Sequence, residues 1–227
     1  MQDQHVGDIG DFGKLTFLRH LMEGRRLAVC WYLTSDQGRR THHEKYFDYL
    51  RRPNEFRHLA PEIFDALTEI VNDTRKSLRG VVALEGSGLL EGALFHRTEV
   101  PKALPLRRLW TDELDEAVDS ADLVFLDPDN GIQGARLSPK HVALSEIAAL
   151  RRQDRTLVFV QRQSGRRSEV GFLANQLWSL GCRRIEIVRV RLVTSRFYVV
   201  TDHDEAMVAR IAEFARKWGN WVKTYSF

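Results

Sequence analysis

The amino-acid sequence predicts an α/β protein with a mostly parallel, doubly wound sheet. Continuous apolar runs such as "RLAVCWYL" (26–33) and "TLVFVQ" (156–161) alternate with segments in which apolar residues recur at helical spacing. Such runs are typical of strands that are buried on both faces, and their alternation with helices favours parallel pairing. We expect one domain, residues 1–227.

The first half of the chain predicts a helix, a strand and a helical insertion. "DFGKLTFLRHLMEG" has helical periodicity and stops at Gly24, and the strand 26–33 follows it. Residues from about 41 to 90 have a helical and charged pattern, with Pro61 at a first-turn position. The next strand is expected at 92–100.

The second half predicts a tighter alternation of elements. "LRRLW" (106–110) is predicted as a short strand, and Thr111 as the N-cap of the next helix. "DLVFLD" (122–127) predicts a buried strand. A further helix is expected to begin after Ser138 as N-cap, with Pro139 at its first position, and to end before the strand "TLVFVQ".

The last part of the pattern predicts a reversal of strand direction. "EVGFLANQLWSLG" predicts a helix closed by Gly181, and "RRIEIVRVRLV" (183–193) and "RFYVVTD" (196–202) predict two strands. The connection between them is too short for a crossover helix, so they pair antiparallel. A parallel sheet with a terminal antiparallel hairpin resembles the Rossmann-like fold of class I methyltransferases.

Composition excludes several classes of protein. No window of the 227 residues approaches the apolar length of a membrane span, and the opening "MQDQHVGDIGD" is unlike a signal peptide. We therefore expect a cytoplasmic protein. Cys30 and Cys182 are the only cysteines, which gives neither a disulfide framework nor paired metal-ligand spacing.

The charge distribution favours a phosphate-bearing partner. The formal net charge is +3, and many arginines fall between Arg151 and Arg196. Arginine pairs bidentately with phosphate, which indicates RNA or DNA, although solvated surface arginines would give the same count. The basic segment "QRQSGRRSE" makes Arg162, Arg166 and Arg167 candidates for binding a phosphate backbone.

The segment "VFLDPDNG" has the composition of a ligand site at a strand end. In open α/β sheets, ligands bind outside the carboxyl ends of the strands. Asp127 is expected at the last position of a strand, Pro128 stiffens the turn, and Asp129, Asn130 and Gly131 tolerate tight turns. A plain turn would have the same composition.

The N-terminal segment "HVGDIGDFGKLTFLRHL" carries a family resemblance. With His5, Gly7, Asp11 and Lys14 it resembles the opening of the bacterial adenine-N6 methyltransferases that modify 23S ribosomal RNA. The segments "HRTEVP", "LRRLWTDEL" and "LVFLDPDNG" follow in the order of that family. The resemblance implies that these four residues help to bind S-adenosylmethionine.

The same resemblance implies roles for three further acidic residues. Glu99 would accept hydrogen bonds from the ribose hydroxyls of the cofactor, and Asp112 would face its adenine. Asp127 matches the first residue of the family's Asp-Pro-Pro-Tyr motif, which orients a target amino group. The implied function is S-adenosylmethionine-dependent methyl transfer to an amino group of a nucleic-acid base.

Two segments depart from the family pattern. The family has a glycine-rich turn after the first strand, whereas "LTSDQGRR" has a single glycine and offers Asp36 as a polar contact. "DPDN" has Asp129 and Asn130 where the family has a second proline and an aromatic residue, so the ring that would stack on a flipped base is missing from the motif.

These departures leave two alternatives to methyl transfer. Asp127 and Asp129 have the oxygen ligands that suit a divalent metal, as in a nuclease, with Gln161 and Gln163 where such enzymes have an acid and a lysine. The other alternative is a methyltransferase-like module that binds nucleic acid without catalysis, through the basic segment "QRQSGRRSE".

Overall fold

A seven-stranded sheet organises the part of the chain that the computed structural model describes, residues 5–34, 44–73, 80–134, 136–163 and 169–227. In spatial order its strands are β2 (Leu94–His96), β1 (Leu27–Cys30), β3 (Leu123–Leu126), β6 (Thr156–Arg162), β8 (Ser195–Thr201), β7 (Glu186–Arg191) and β9 (Val222–Ser226). A separate parallel pair is formed by β4 (Gly131–Ile132) and β5 (His141–Val142).

The sheet has a parallel half and an antiparallel half. β2, β1, β3 and β6 pair in parallel, as the sequence predicts. β8 is antiparallel to both β6 and β7, which confirms the antiparallel pair predicted from the short connection. β9 adds a further antiparallel strand beyond β7, so the antiparallel half extends past the predicted hairpin.

Helices cover both faces of the sheet. They are α1 (Ile9–Leu21), α2 (Pro53–Phe56), α3 (Pro61–Asn72), α4 (Val81–Gly86), α5 (Leu104–Ala117), α6 (Leu144–Leu150), α7 (Glu169–Ser179) and α8 (Glu205–Trp218). One apolar core joins α1, α3 and α8 to the sheet through Val29 and Phe125, and the other joins α5, α6 and α7 through Cys30 and Leu126. Neighbouring strand residues thus point to opposite cores, as the pleat requires.

α1 is a largely buried helix. Asp8 is its N-cap and accepts a hydrogen bond from the Asp11 backbone N–H at 2.9 Å. The Phe17 ring packs on Tyr198 of β8 and on Phe214 of α8, each at 5.0 Å between centroids. Because most residues of this helix are buried, its charged residues Asp11 and Lys14 are enclosed within the fold.

The predicted strand at 106–110 is wrong, because these residues lie in α5. Pro105 is in the first turn of that helix, and Arg107, Trp110, Thr111 and Leu114 form its buried face at helical spacing. Thr111 is therefore inside the helix, where its hydroxyl donates to the Arg107 carbonyl at 2.9 Å, and is not an N-cap.

The predicted helix start at Ser138 and Pro139 is also wrong. α6 begins at Leu144, where the Glu146 carboxylate accepts a hydrogen bond from the Ala143 backbone N–H at 2.8 Å. The preceding residues form a turn and β5, and Arg107 of α5 donates to the Ser138 carbonyl at 2.8 Å. This contact from a distant helix holds the segment away from a helical path.

Several boundaries differ from the predictions. The expected strands 26–33 and 92–100 are shorter, as β1 and β2, while Gly181 has the positive φ expected of a residue after a helix. The chain after β8 adds α8 and β9, which lie beyond the predicted elements. Among the described residues, none of the helices has the length and apolar character to span a bilayer.

Candidate functional site

Three buried charged side chains meet where β1 and β3 end. The Lys14 Nζ lies 2.7 Å from Asp127 Oδ2 and 2.7 Å from Asp11 Oδ1. Each of the three residues is at most 4% exposed to solvent. We call Asp11, Lys14 and Asp127 the charge cluster, and we call the side of the sheet on which the parallel strands end the carboxyl edge.

The fold brings these residues together from two elements. Asp127 follows β3, and its backbone N–H donates to the Cys30 carbonyl at the end of β1, at 2.9 Å. Asp11 lies in the first turn of α1, and its Oδ2 accepts a hydrogen bond from the Gly7 N–H at 2.9 Å. Gly7 has a φ of +85°, a conformation that suits glycine.

The two carboxylates keep Lys14 charged. Burial alone would lower the pKa of Lys14, but the attraction of Asp11 and Asp127 outweighs it, and the pKa of Lys14 is raised. The ammonium group also lies 5.4 Å from the centroid of the Trp31 ring. Lys14 is therefore a fixed cation that orients one oxygen of Asp127.

Arg196 joins this edge of the sheet, and the sequence did not indicate that it would. Its guanidinium lies 3.9 Å from Asp8 Oδ2 and against Gly10, where an added Cβ would be only 2.8 Å from Nη2. Because β8 is antiparallel to β6, its first residues lie at the carboxyl edge. The sequence predicted that β7 and β8 pair antiparallel, but it did not predict that β8 also pairs with β6. The pairing with β6 places Arg196 at the carboxyl edge.

The two aspartates of "DPDNG" bind different lysines. Asp127 pairs with Lys14, whereas Asp129 lies 3.8 Å from the Nζ of Lys140. Pro128 is buried between them. The turn continues to Asn130, whose N–H donates to the Lys140 carbonyl at 2.9 Å. The motif thus separates a buried carboxylate from a more accessible one.

Gln161 fixes the turn after the motif. Its Oε1 accepts a hydrogen bond from the Ile132 N–H at 2.8 Å, and it presses on Gly131, where an added Cβ would lie 2.0 Å from the same oxygen. Gly131 has a φ of +98°. Gln163 is likewise engaged, since its Oε1 accepts a hydrogen bond from Arg189 at 3.1 Å.

The remaining residues of the predicted cofactor edge have different surroundings. Glu99 is exposed and follows β2, next to Val100, whose N–H donates to the Leu33 carbonyl after β1 at 2.9 Å. Among the described residues, Thr34 beside it has a buried hydroxyl without a hydrogen-bond partner. His5 is half-buried ahead of α1, and Asp36 lies outside the described residues.

Asp112 is separate from the charge cluster in the fold. It lies on the exposed side of α5, whose buried side includes Trp110. The Trp110 ring N–H donates to the Thr98 carbonyl at 3.1 Å, which ties that helix to the segment before Glu99. The structure therefore places Asp112 in the neighbourhood of β2, on a surface open to solvent.

The predicted basic surface is divided between exposed and internal arginines. Arg162 is exposed at the end of β6, and its N–H donates to the Asn130 carbonyl at 3.3 Å. Arg166 and Arg167 lie outside the described residues. Arg151 and Arg155 bind Asp202 and Asp115 respectively, so part of the cationic sequence stabilises the fold.

A cleft opens beside the motif on its β6 side. It has a volume of about 570 Å³ and lies between the β4–β5 pair, the end of β6 and α7. Asn130 of the motif contributes to its wall, as do Arg162 and Phe172. In the ranges that the structure describes, no three His, Cys, Asp or Glu side chains are grouped so as to hold a metal ion.

Comparisons with known proteins bear on the fold. No protein-family model matches the chain, and no curated protein matches it. A solved structure from Legionella pneumophila, described as a protein of the family DUF519, is similar in fold, with a TM-score of 0.54. That alignment covers 98% of each chain at 10% sequence identity, so the likeness extends over the whole fold and concerns the fold alone.

Proposed function

We propose that this protein transfers a methyl group from S-adenosylmethionine to an amino group of a nucleic-acid base. The observation that carries the proposal is the placement of Asp127, a buried carboxylate fixed by Lys14 at the carboxyl end of β3. Ligands of open α/β sheets bind outside these strand ends. The predicted reaction residues and part of the predicted cofactor residues thus meet at one place.

The strand order supports a Rossmann-like, class I methyltransferase-like sheet. β8 is inserted antiparallel between β6 and β7, which run in the same direction as β1 and β3. The parallel half then provides the edge for a nucleoside cofactor, and the antiparallel half closes the sheet. Fold analogy alone does not assign an activity, so the argument depends on the side chains at that edge.

The residues at the carboxyl edge fit an adenosyl cofactor. Glu99 offers an exposed carboxylate for ribose hydroxyls. Thr34, which follows Leu33 after β1, offers a buried hydroxyl that has no hydrogen-bond partner among the described residues. His5 and the Gly7 turn, ahead of α1, are the other contacts that we propose for the cofactor. When bound, the cofactor supplies an electrophilic methyl group, and the protein supplies binding and orientation.

Asp127 and Pro128 would act on the target amino group by orientation. The Asp127 carboxylate and the Pro128 carbonyl are acceptors for the two N–H bonds of the amino group, which directs its lone pair toward the methyl group. Lys14 positions Asp127 by holding Oδ2. Arg162 would bind the phosphate backbone next to the reacting base, since it is exposed and lines the same cleft as Asn130.

The nuclease alternative has less support from the geometry. A shared metal ion would need both carboxylates at one point, whereas Asp127 pairs with Lys14 and Asp129 pairs with Lys140. Gln161 and Gln163, which would take the places of an acid and a lysine, are occupied in hydrogen bonds to Ile132 and Arg189. The other alternative, a module that binds nucleic acid without catalysis, is tested by the methyl-transfer experiment below.

Calorimetric titration with S-adenosylmethionine and S-adenosylhomocysteine tests the cofactor site. We expect micromolar binding that weakens about tenfold or more, about 1.4 kcal/mol, in Glu99→Ala. Glu116→Ala, which removes an exposed acid from α5, is the matched control and should bind normally. No heat and no thermal shift with the wild-type protein would contradict the proposal.

Transfer of radiolabelled methyl groups to unmodified RNA and DNA tests the reaction. Asp127→Asn should bind the cofactor like the wild type, because Lys14 keeps its contact with Asp11, and should lose about a hundredfold or more in transfer rate. Cofactor binding without transfer to either polymer would leave a cofactor-binding module that lacks this catalytic activity.

A further inference from the structure

The cleft beside the motif has one wall formed by α7. Phe172, Gln176 and Glu169 all line the cleft, and their spacing of three and four residues places them on one face of that helix. The opposite wall includes Asn130 and Gln133, around the β4 strand. The cleft is therefore continuous with the reaction edge through Asn130.

Phe172 differs from the apolar residues of α7 that face the core. Its neighbours Leu173 and Leu177 are buried in the core, whereas Phe172 is 57% exposed and borders the cleft. An aromatic ring open to solvent gives no stability by burial, but it is available for stacking. Stacking of bases on aromatic side chains is the common means of holding an unpaired base.

The polar groups of the cleft are mostly amides. In the described part of the chain, the side-chain amides of Asn130, Gln133 and Gln176 line the cleft and make no hydrogen bond to protein. An amide has both donors and acceptors, which match the edge of a base. Among the described residues that line it, the cleft carries one exposed cation, Arg162, at the end of β6. This composition favours a base with its phosphate over a phosphate alone.

We propose that this cleft binds an unpaired nucleobase of a single strand and that Phe172 stacks on its ring. Phe172 would thus provide the aromatic surface that the motif lacks at Asn130. The proposal rests on the proposed function for the identification of nucleic acid as the partner. It goes beyond that function in naming the residue of α7 that recognises the base.

Fluorescence anisotropy with a labelled strand of about twelve nucleotides, as RNA and as DNA, tests the proposal. Phe172→Ala should raise Kd by about five- to a hundredfold on the RNA or the DNA strand, and Phe172→Tyr should stay within about threefold of the wild type. Trp178→Ala is the matched control, because Trp178 is a second exposed aromatic of α7 and does not line the cleft. Its Kd should not change.

The same strands without bases separate stacking from other effects. On abasic strands, Phe172→Ala and the wild type should bind equally, because only phosphate contacts remain. An equal loss on abasic and base-bearing strands would overturn the proposal, as would the absence of any effect of Phe172→Ala or of any binding by the wild type. Circular dichroism of the variants checks that they are folded.

The two proposals fail in different ways. Phe172-dependent binding of base-bearing strands by a protein that gives no heat with S-adenosylmethionine would remove the methyltransferase and keep the base-binding cleft. Cofactor binding that depends on Glu99, together with strand binding that is indifferent to Phe172, would overturn the cleft alone.

Discussion

The ammonium group of Lys14 lies between two carboxylates, and the stability of the site depends on all three charges. Removal of one partner from a buried ion pair leaves an uncompensated charge, which costs more than the pair itself contributes. In this protein the loss of one cation would remove the salt-bridge partner that Asp11 and Asp127 share. Neither carboxylate has substantial access to solvent.

Lys14→Met should therefore lower the free energy of unfolding by about 3–5 kcal/mol near pH 7, measured by urea denaturation. Lys140→Met is the matched control. Lys140 is 46% exposed and lies 3.8 Å from Asp129, so its loss should cost less than about 1 kcal/mol. Equal effects of the two substitutions would contradict the buried ion pairs.

The pH dependence of the Lys14→Met variant has a definite sign. Burial raises the pKa of Asp11 and the charge of Lys14 lowers it, so without the cation the pKa of Asp11 lies further above its unfolded value near 4. Groups with a raised folded pKa favour the folded state at low pH, and that contribution is lost as the pH rises through the folded pKa. The deficit against the wild type should thus grow from about pH 4 upwards.

At the scale of elements, a close contact between Gly131 and Gln161 holds the β4–β5 pair against β6. Gly131 lies under the Gln161 amide, and the hydrogen bond from Ile132 to Gln161 fixes their spacing. A side chain at Gly131 would meet backbone as well as side chain, because an added Cβ would lie 2.8 Å from the Gln161 Cα. The conformation of the turn therefore depends on glycine.

Gly131→Ala should destabilise the protein by about 1–3 kcal/mol, because it adds a steric clash to an unfavourable positive φ. Gly134→Ala is the matched control, since Gly134 is exposed and, beyond its chain neighbours, no described residue comes within 4 Å of a Cβ added there. Urea denaturation of both variants measures the difference. A neutral Gly131→Ala would show that the turn is not held against Gln161.

The elements that sequence reasoning identified are those with strong local signals. β3 and β6 are continuous apolar runs, and the helix of Phe172 ends at a glycine, so their predictions hold. The helix starts at Thr111 and Ser138 were predicted wrongly, because α5 begins earlier and Arg107 fixes the segment before α6. A tertiary contact there outweighs a local cap signal.

The same limit applies to the site. Lys14 and Asp127 were identified from separate segments through the family resemblance, and their ion pair is visible only in the fold. Sequence reasoning did not identify Arg196 or the cleft beside Phe172 as parts of the site. The position of Arg196 depends on which strand β8 joins, and the cleft depends on where α7 packs. The pairing of segments that are distant in the chain cannot be predicted from the pattern of neighbouring residues.

At the scale of the whole molecule, half-buried histidines link stability to pH. Burial lowers the pKa of His20, of His96 and of His141, and the charge of Arg107 lowers that of His141 further. These groups are spread over α1, β2 and β5. The folded state therefore favours the neutral form of each of these three histidines.

The free energy of unfolding should therefore fall as the pH is lowered. A lowered folded pKa gives stability that is complete above the unfolded value of about 6.5 and is lost as the pH falls toward the folded value. Thermal unfolding from pH 8 to pH 5.5 measures this, and His96→Gln should reduce the slope. His58→Gln is the control, because His58 is exposed. An unchanged slope in His96→Gln would contradict this account.

The enclosure of α1 has a consequence for synthesis of the chain. Phe17 leaves the ribosome long before the partners on which it packs, because Tyr198 and Phe214 follow roughly 180 and roughly 200 residues later. At translation rates of about 5–20 residues per second, that delay is roughly 10–40 s. During this time α1 lacks the β8 and α8 residues on which Phe17 packs, so the nascent helix exposes an apolar surface that chaperones can bind.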